Sequence, residues 1–211
     1  MERSELINRI VEEKGSKAIP DLIKLLEDED SEVREIASEA LFKLGDDAKT
    51  ALLKEFHRRL GERNKNDITL LYIIDLLADF GEKSILNSLY KILSLYSWEE
   101  AELIIYEALA KLGEGDKVYE ILRYFLLEDE ERKKLGVQAA MALSYIDRPE
   151  VVKDLVRAIE SKDFKGEDLE IIKKALSQVV MKNSMYYEIL KNLVGENVND
   201  YLGWFYEFWK I

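Results

Sequence analysis

The 211-residue chain carries 43 acidic and 31 Lys/Arg side chains, a formal balance of −12, with 47% apolar residues, one histidine and no cysteine. This mixture describes a folded protein with a substantial core, and it excludes disulfides, thiolate zinc sites, cysteine nucleophiles and multi-histidine metal cages. The acidic balance opposes broad contact with nucleic-acid phosphate or an anionic membrane.

The start, MERSELINRIVEEKG, is charged throughout and lacks the apolar core of a signal peptide. No apolar stretch approaches the roughly 20 residues of a membrane span, so a cytoplasmic location is expected. A first helix is predicted over 4–14, where Leu6, Ile7, Ile10 and Val11 share a face before Gly15. From residue 18 two kinds of segment alternate. AIPDLIKLLEDED, LLKEFHRRL, ILNSLYKIL, VYEILRYFLL, VVKDLVRAI and MYYEILKNLV begin at 18, 52, 85, 118, 151 and 185. ALFKLGD, LLADFGE, ALAKLGE, ALSYID and ALSQVVM begin at 40, 76, 108, 142 and 175. Two independent series share one pitch, about 33 residues, which marks an internal repeat.

Both kinds read as helices. In the first unit Val33, Ile36, Ala37, Ala40, Leu41 and Leu44 follow the 3–4 spacing of a buried stripe. Gly45, Gly81 and Gly113 suit left-handed helix ends, and Pro20 and Pro149 suit helix starts. The expected organisation is one domain over 1–211: a half-repeat helix at 1–17, five helix pairs over 18–184, and an aromatic-rich capping repeat at 185–211. One pair has too little apolar area to stand alone, so neighbour-on-neighbour burial must hold the stack together.

The segment AIPDLIKLLEDEDSEVREIASEALFKLGDD, 18–47, resembles a short HEAT repeat of the PBS-lyase-like kind. Ala18, Pro20, Leu22, Leu25 and Leu26 carry the likeness in the first helix; Asp30, Val33, Arg34, Ala37, Ala40, Leu41 and Leu44-Gly45 carry it in the second. The resemblance implies an all-α, right-handed α-solenoid of stacked antiparallel helix pairs, about thirteen helices in all. It also implies a ladder of acid–arginine contacts through Asp30…Val33-Arg34. Later repeats hold Thr69-Leu70, Ala101-Glu102, Leu135-Gly136 and Asp168-Leu169 at the Val33-Arg34 positions, so apolar packing is expected to replace the ladder there. Tetratricopeptide and ankyrin signatures are absent.

Catalytic chemistry finds little support. Neither a GxGxxG nor a GxxxxGK[ST] is present, and His57 stands alone on a polar helix face. No cofactor and no metal are expected. Enzymes that resemble this architecture include hydroxylases with repeated His-Glu pairs, which this chain lacks, DNA glycosylases with a basic inner face, and lyases. A basic patch around Arg58, Arg59 and Arg63 would favour an enzyme of the glycosylase or lyase kind. Two acidic runs, 27–30 and 128–131, fall at equivalent helix–helix turns, as solvated carboxylates near helix starts.

Aligned second helices give a column of Leu41, Leu77, Leu109, Leu143 and Leu176 that must be core. The opposite ridge is charged in the first and fifth units and partly apolar between them. By the resemblance this helix lines the concave face. The ridge has two readings: helices buried more deeply against both neighbours, or a partner site of Leu71, Asp75, Leu103, Tyr106, Glu107, Val137, Met141 and Tyr145, a groove for another protein with basic and apolar residues. A second surface is Tyr201, Trp204, Phe205, Phe208 and Trp209, which either seals the last layer or mediates homodimerisation. The resulting expectation is a non-catalytic scaffold or adaptor. Richness in Lys and Glu with only two Gln leans toward a thermophilic source.

Overall fold

The computed structural model describes residues 3–203, and every regular element among them is helical. The chain divides into two compact units, Met1–Ile105 and Tyr106–Ile211. No linker marks this division in the sequence, because it falls inside a helix.

The first unit contains α1 (Arg3–Lys14), α2 (Ile19–Leu25), α3 (Ser31–Lys43), α4 (Asp46–Glu62), α5 (Ile68–Asp79) and α6 (Leu86–Ile92). Helix α7 (Glu99–Leu109) leads into the second unit, which contains α8 (Gly115–Leu127), α9 (Arg132–Leu143), α10 (Pro149–Glu160), α11 (Glu167–Lys182), α12 (Ser184–Val194) and α13 (Val198–Tyr201). The expected thirteen or so full helices become ten full-length ones and three short ones. Helices α2 and α6 are short because a 3₁₀ turn precedes each of them.

Each unit is built from helical hairpins whose members alternate between two rows. In the first unit α2 packs on α3 and α4 on α5, while α1, α3 and α5 form one row and α2 and α4 the other. In the second unit α8 packs on α9 and α10 on α11; α9 and α11 form one row, and α8, α10 and α12 the other. The five leucines of the aligned column, Leu41, Leu77, Leu109, Leu143 and Leu176, are all fully buried. Burying each contributes about 1.5–3 kcal/mol, so this spine supplies much of the gain that holds hairpins together.

Local signals place the helix ends. Asp30 caps α3 by accepting the Glu32 N–H at 2.8 Å, and Asp67 caps α5 by accepting the Leu70 N–H at 3.1 Å. Pro20 and Pro149 lie in the first turns of α2 and α10. Gly45, Gly81 and Gly113 have φ of 67°, 66° and 98°, the left-handed turn that lets each second helix stop and the chain reverse.

The acid–arginine ladder is replaced by other devices. Arg34 donates to the Asp28 and Glu29 carbonyls at 2.6 and 2.9 Å and lies 5.7 Å from the Tyr72 ring centroid. Arg59 is the main ionic hub of the first unit. Its guanidinium reaches Glu55 at 2.8 Å, Asp67 at 3.0 Å and Glu27 in the preceding hairpin turn. Burial opposes the Arg59 charge, but the hydrogen bonds it donates to Asp67 and Glu55, and their negative charge, outweigh it, and its pKa is raised. In the second unit Arg132 bridges to Asp163 in the next turn at 3.0 Å.

At the position equivalent to Arg34 the fourth repeat has Gly136, and the structure gives the reason. The Phe164 ring occupies that space, and a Cβ on Gly136 would come 2.6 Å from Phe164 Cζ. Placing the residue of the first repeat there with Gly136→Arg is therefore expected to lower unfolding free energy by about 2 kcal/mol or more, as overpacking does. Urea titration followed by circular dichroism measures this; an unchanged midpoint would contradict the packing account.

Candidate functional site

The ridge of the second helices begins as a charged seam. On α3, Glu35 and Glu39 accept from Arg3 of α1 at 2.9 and 2.6 Å, and Lys43 donates to Asn8 at 2.9 Å. These side chains connect neighbouring helices of one row, so the first part of the ridge is self-paired.

On α5 and α7 the expected groove closes. Leu71 is 4% exposed and Leu103 fully buried, so neither can line an open surface. The cause is visible in α5, where Thr69, Leu70, Leu71, Ile73, Ile74, Leu76, Leu77 and Ala78 are all buried. A helix apolar on nearly every side packs on more than one face. Asp75 is half-buried beside a shallow cleft with Ser38, Glu39, Phe42, Lys43, Leu76 and Asp79.

The ridge opens in the second unit. Tyr106, Glu107, Val137 and Met141 are partly accessible, and Tyr145 is 40% exposed. Lys111 lies 5.2 Å from the Tyr145 ring centroid and pairs with Glu107 at 3.1 Å, so a largely covered cation supports one face of the tyrosine. Behind this strip, Ser144 Oγ contacts the Met141 carbonyl at 2.6 Å and Gln178 Oε1 of α11 at 2.9 Å. These bonds hold α9 and α11 in register beneath the accessible side chains.

Sequence reasoning missed an aromatic pair. Phe42, 49% exposed, stacks on Phe80 with ring centroids 5.3 Å apart. The signal lies in the column after the core leucine: Phe42, Ala78, Ala110, Ser144 and Ser177. The last four are small and buried, whereas the first is large and accessible.

Of the C-terminal surface, Tyr201 lies among the described residues. Tyr201 donates to Glu160 Oε1 at 2.8 Å, and Val198 and Leu202 are buried. The Gly203 N–H donates to Ser177 Oγ at 3.1 Å, and a Cβ there would meet the Lys174 backbone nitrogen at 3.2 Å. Residues 198–203 thus cover one flank of α11, a capping role. Trp204, Phe205, Phe208 and Trp209 lie outside the described residues.

The other flagged groups resolve into structural parts. Arg58 pairs with Glu55 at 2.6 Å and with Glu62, while Arg59 serves the hub above. Glu55 is held below the usual carboxylate range, chiefly by the Arg58 hydrogen bond. In the acidic runs, Asp28 accepts the Asp30 N–H at 2.9 Å and the buried Asp129 accepts the Glu131 N–H at 2.6 Å. His57 is exposed, its ring 5.5 Å from that of Phe56. Among the described residues no group of three or more His, Asp and Glu could hold a metal ion, and no helix is long and apolar enough to cross a membrane.

Hairpins that repeat in two alternating rows define a helical-repeat protein. Residues 2–60, which cover α1 to most of α4, match the family model for HEAT repeats. No curated protein and no solved structure matches the chain.

The burial pattern separates the ridge residues by experiment. Leu103→Asp places a carboxylate in the core and is expected to cost about 4 kcal/mol or more, enough to unfold much of the protein. Met141→Asp, at a partly accessible position, is expected to cost about 1 kcal/mol or less. Thermal unfolding of the two variants checks the contrast; equal losses would contradict it.

Proposed function

We propose that this protein is a non-catalytic scaffold or adaptor in the cytoplasm that binds another protein along the second-helix row. The observation that carries the reading is the accessible strip Val137, Met141 and Tyr145, with Tyr106 and Glu107 beside it. Apolar and aromatic side chains at the centre, charged groups at the margin and rigid helices beneath are the usual makings of a binding surface. HEAT repeats typically serve as interaction scaffolds, which supports the same reading. With a balance of −12, the preferred partner carries basic and apolar residues, and nucleic acid is disfavoured.

The enzyme alternative, a glycosylase or lyase-like activity on this scaffold, would be favoured by a free basic patch at Arg58, Arg59 and Arg63. Two of these three guanidinium groups are committed to carboxylates of the same chain, which favours the scaffold.

We further infer that the hairpins continue as one right-handed α-solenoid with this strip on its inner face. The rows support this, because α3 packs on both α1 and α5 in the first unit and α11 packs on α9 in the second. Small-angle scattering tests it. A compact chain of this length has a radius of gyration near 17 Å, and an open solenoid is expected to exceed it by about 2 Å or more. A value at the compact figure would overturn the solenoid.

The binding reading is tested by affinity capture from native lysate with mass spectrometry, using wild type, Met141→Asp and Tyr145→Asp. Proteins retained by wild type are expected to fall about tenfold or more with both folded variants. Partners kept equally by all three would place binding elsewhere.

A further inference from the structure

A second, separate site is present in the first unit. A cleft of about 260 Å³ opens between α4 and α6, lined by Leu60, Arg63, Ser88, Lys91, Ile92 and Leu95. Its floor is apolar, from Leu60, Ile92 and Leu95, and its polar rim is cationic. That is unusual in a chain with an excess of twelve acidic groups.

Arg63 differs from its neighbours. Arg58 and Arg59 are each bound to two or three carboxylates, whereas neither Arg63 nor Lys91 has a side-chain ion pair or hydrogen bond among the described residues. Glu62, the nearest carboxylate in sequence, is already taken by Arg58 and Asn64. Arg63 also has a left-handed backbone, φ 53°, and Asn66 repeats this at φ 59°. At Arg63 it closes α4 as its C-cap, the N–H donating to the Arg59 carbonyl at 3.2 Å, and asparagine adopts it readily.

The Asn66 N–H donates to the Leu95 carbonyl at 3.1 Å, the Ser97 N–H to Asn66 Oδ1 at 3.2 Å, and the Tyr96 hydroxyl to the Asp67 carbonyl at 2.8 Å. Residues 66 and 67 are therefore fixed to 95–97 beside the cleft. Two exposed cations without an ion partner in the chain and a half-buried hydroxyl flank a small apolar floor.

We propose that this cleft binds a small organic carboxylate with a short hydrocarbon tail. The Arg63 guanidinium takes the carboxylate through paired N–H donors, Lys91 supplies a second charge, and the Ser88 hydroxyl a further hydrogen bond. The tail lies on Leu60, Ile92 and Leu95. The volume holds about nine groups of water size at ~30 Å³ each, which sets the ligand at about eight non-hydrogen atoms. The site is independent of the partner-binding strip on α9.

The test uses the full chain, isotope-labelled, titrated with hexanoate and followed by two-dimensional NMR. Saturable shifts confined to 60–66 and 88–95 are expected. Lys91→Gln is expected to weaken hexanoate about fivefold, and Arg63→Gln about tenfold or more. Arg63→Gly suits the positive φ and keeps the melting temperature at or above that of wild type, so its loss of binding cannot arise from unfolding. Hexanol, hexylammonium and inorganic phosphate are each expected to bind at least about tenfold more weakly than hexanoate. Hexanol matching hexanoate would reduce the site to an apolar dent, and phosphate matching it would reduce the site to bare charge attraction. Either result, shifts outside the two segments, or unaltered affinity in the Arg63 variants overturns the proposal.

Discussion

Burial between successive hairpins is the constraint on which this protein depends. A single pair of helices of this size cannot cover enough apolar surface to offset the ordering of its own backbone. The leucine column answers that shortage by recurring at one place in every second helix, always fully enclosed. Because each leucine is covered partly by its own hairpin and partly by a neighbour, the hairpins within a unit cannot come apart independently. The small residues one position further on, Ala78, Ala110, Ser144 and Ser177, let adjacent backbones approach closely enough for that cover to be complete.

Charge is arranged around this apolar frame instead of running through it. Arginines near helix ends are used to hold turns: Arg34 on turn carbonyls, Arg59 across Glu55, Asp67 and Glu27, Arg132 on Asp163. The acidic runs lie at the same turns, and Asp30 of the first caps α3. A buried arginine with three carboxylate partners is a specificity device more than a net source of stability, since desolvation consumes much of the attraction. With most guanidinium groups so engaged, the cations that remain available stand out, and Arg63 is one of them.

The repeat, the helix starts and the leucine spine were legible from the residues, because each follows from a short-range rule. Periodicity finds a buried stripe, a proline or aspartate marks a first turn, and a glycine marks a reversal. The ridge was legible only in part. Helical phase tells which side chains oppose the core stripe of their own helix, but not whether a neighbour covers them too. Leu71 and Leu103 failed for that reason, although the near-continuous apolar run from Leu70 to Leu77 in α5 was a sign of burial on several sides. Gly136 looked like a lost signature residue until Phe164, 28 positions later, accounted for it. The α4–α6 cleft depends on residues from two helices, Leu60 and Arg63 on one side and Ser88 to Leu95 on the other, and no local pattern announces such a pairing.

The contact between Gly203 and Ser177 has a consequence for how this part of the chain tolerates mutation. Ser144, the C-cap of α9, meets Gln178 of α11, the next helix of its row, and Ser177, its counterpart in α11, meets a bare peptide group instead. A peptide N–H thus takes against α11 the place that a side chain takes against the end of α9. Because every residue except proline carries that donor, mutation at 203 can crowd the Lys174 backbone with a Cβ and still keep the hydrogen bond, so the contact depends on main-chain position and not on side-chain identity.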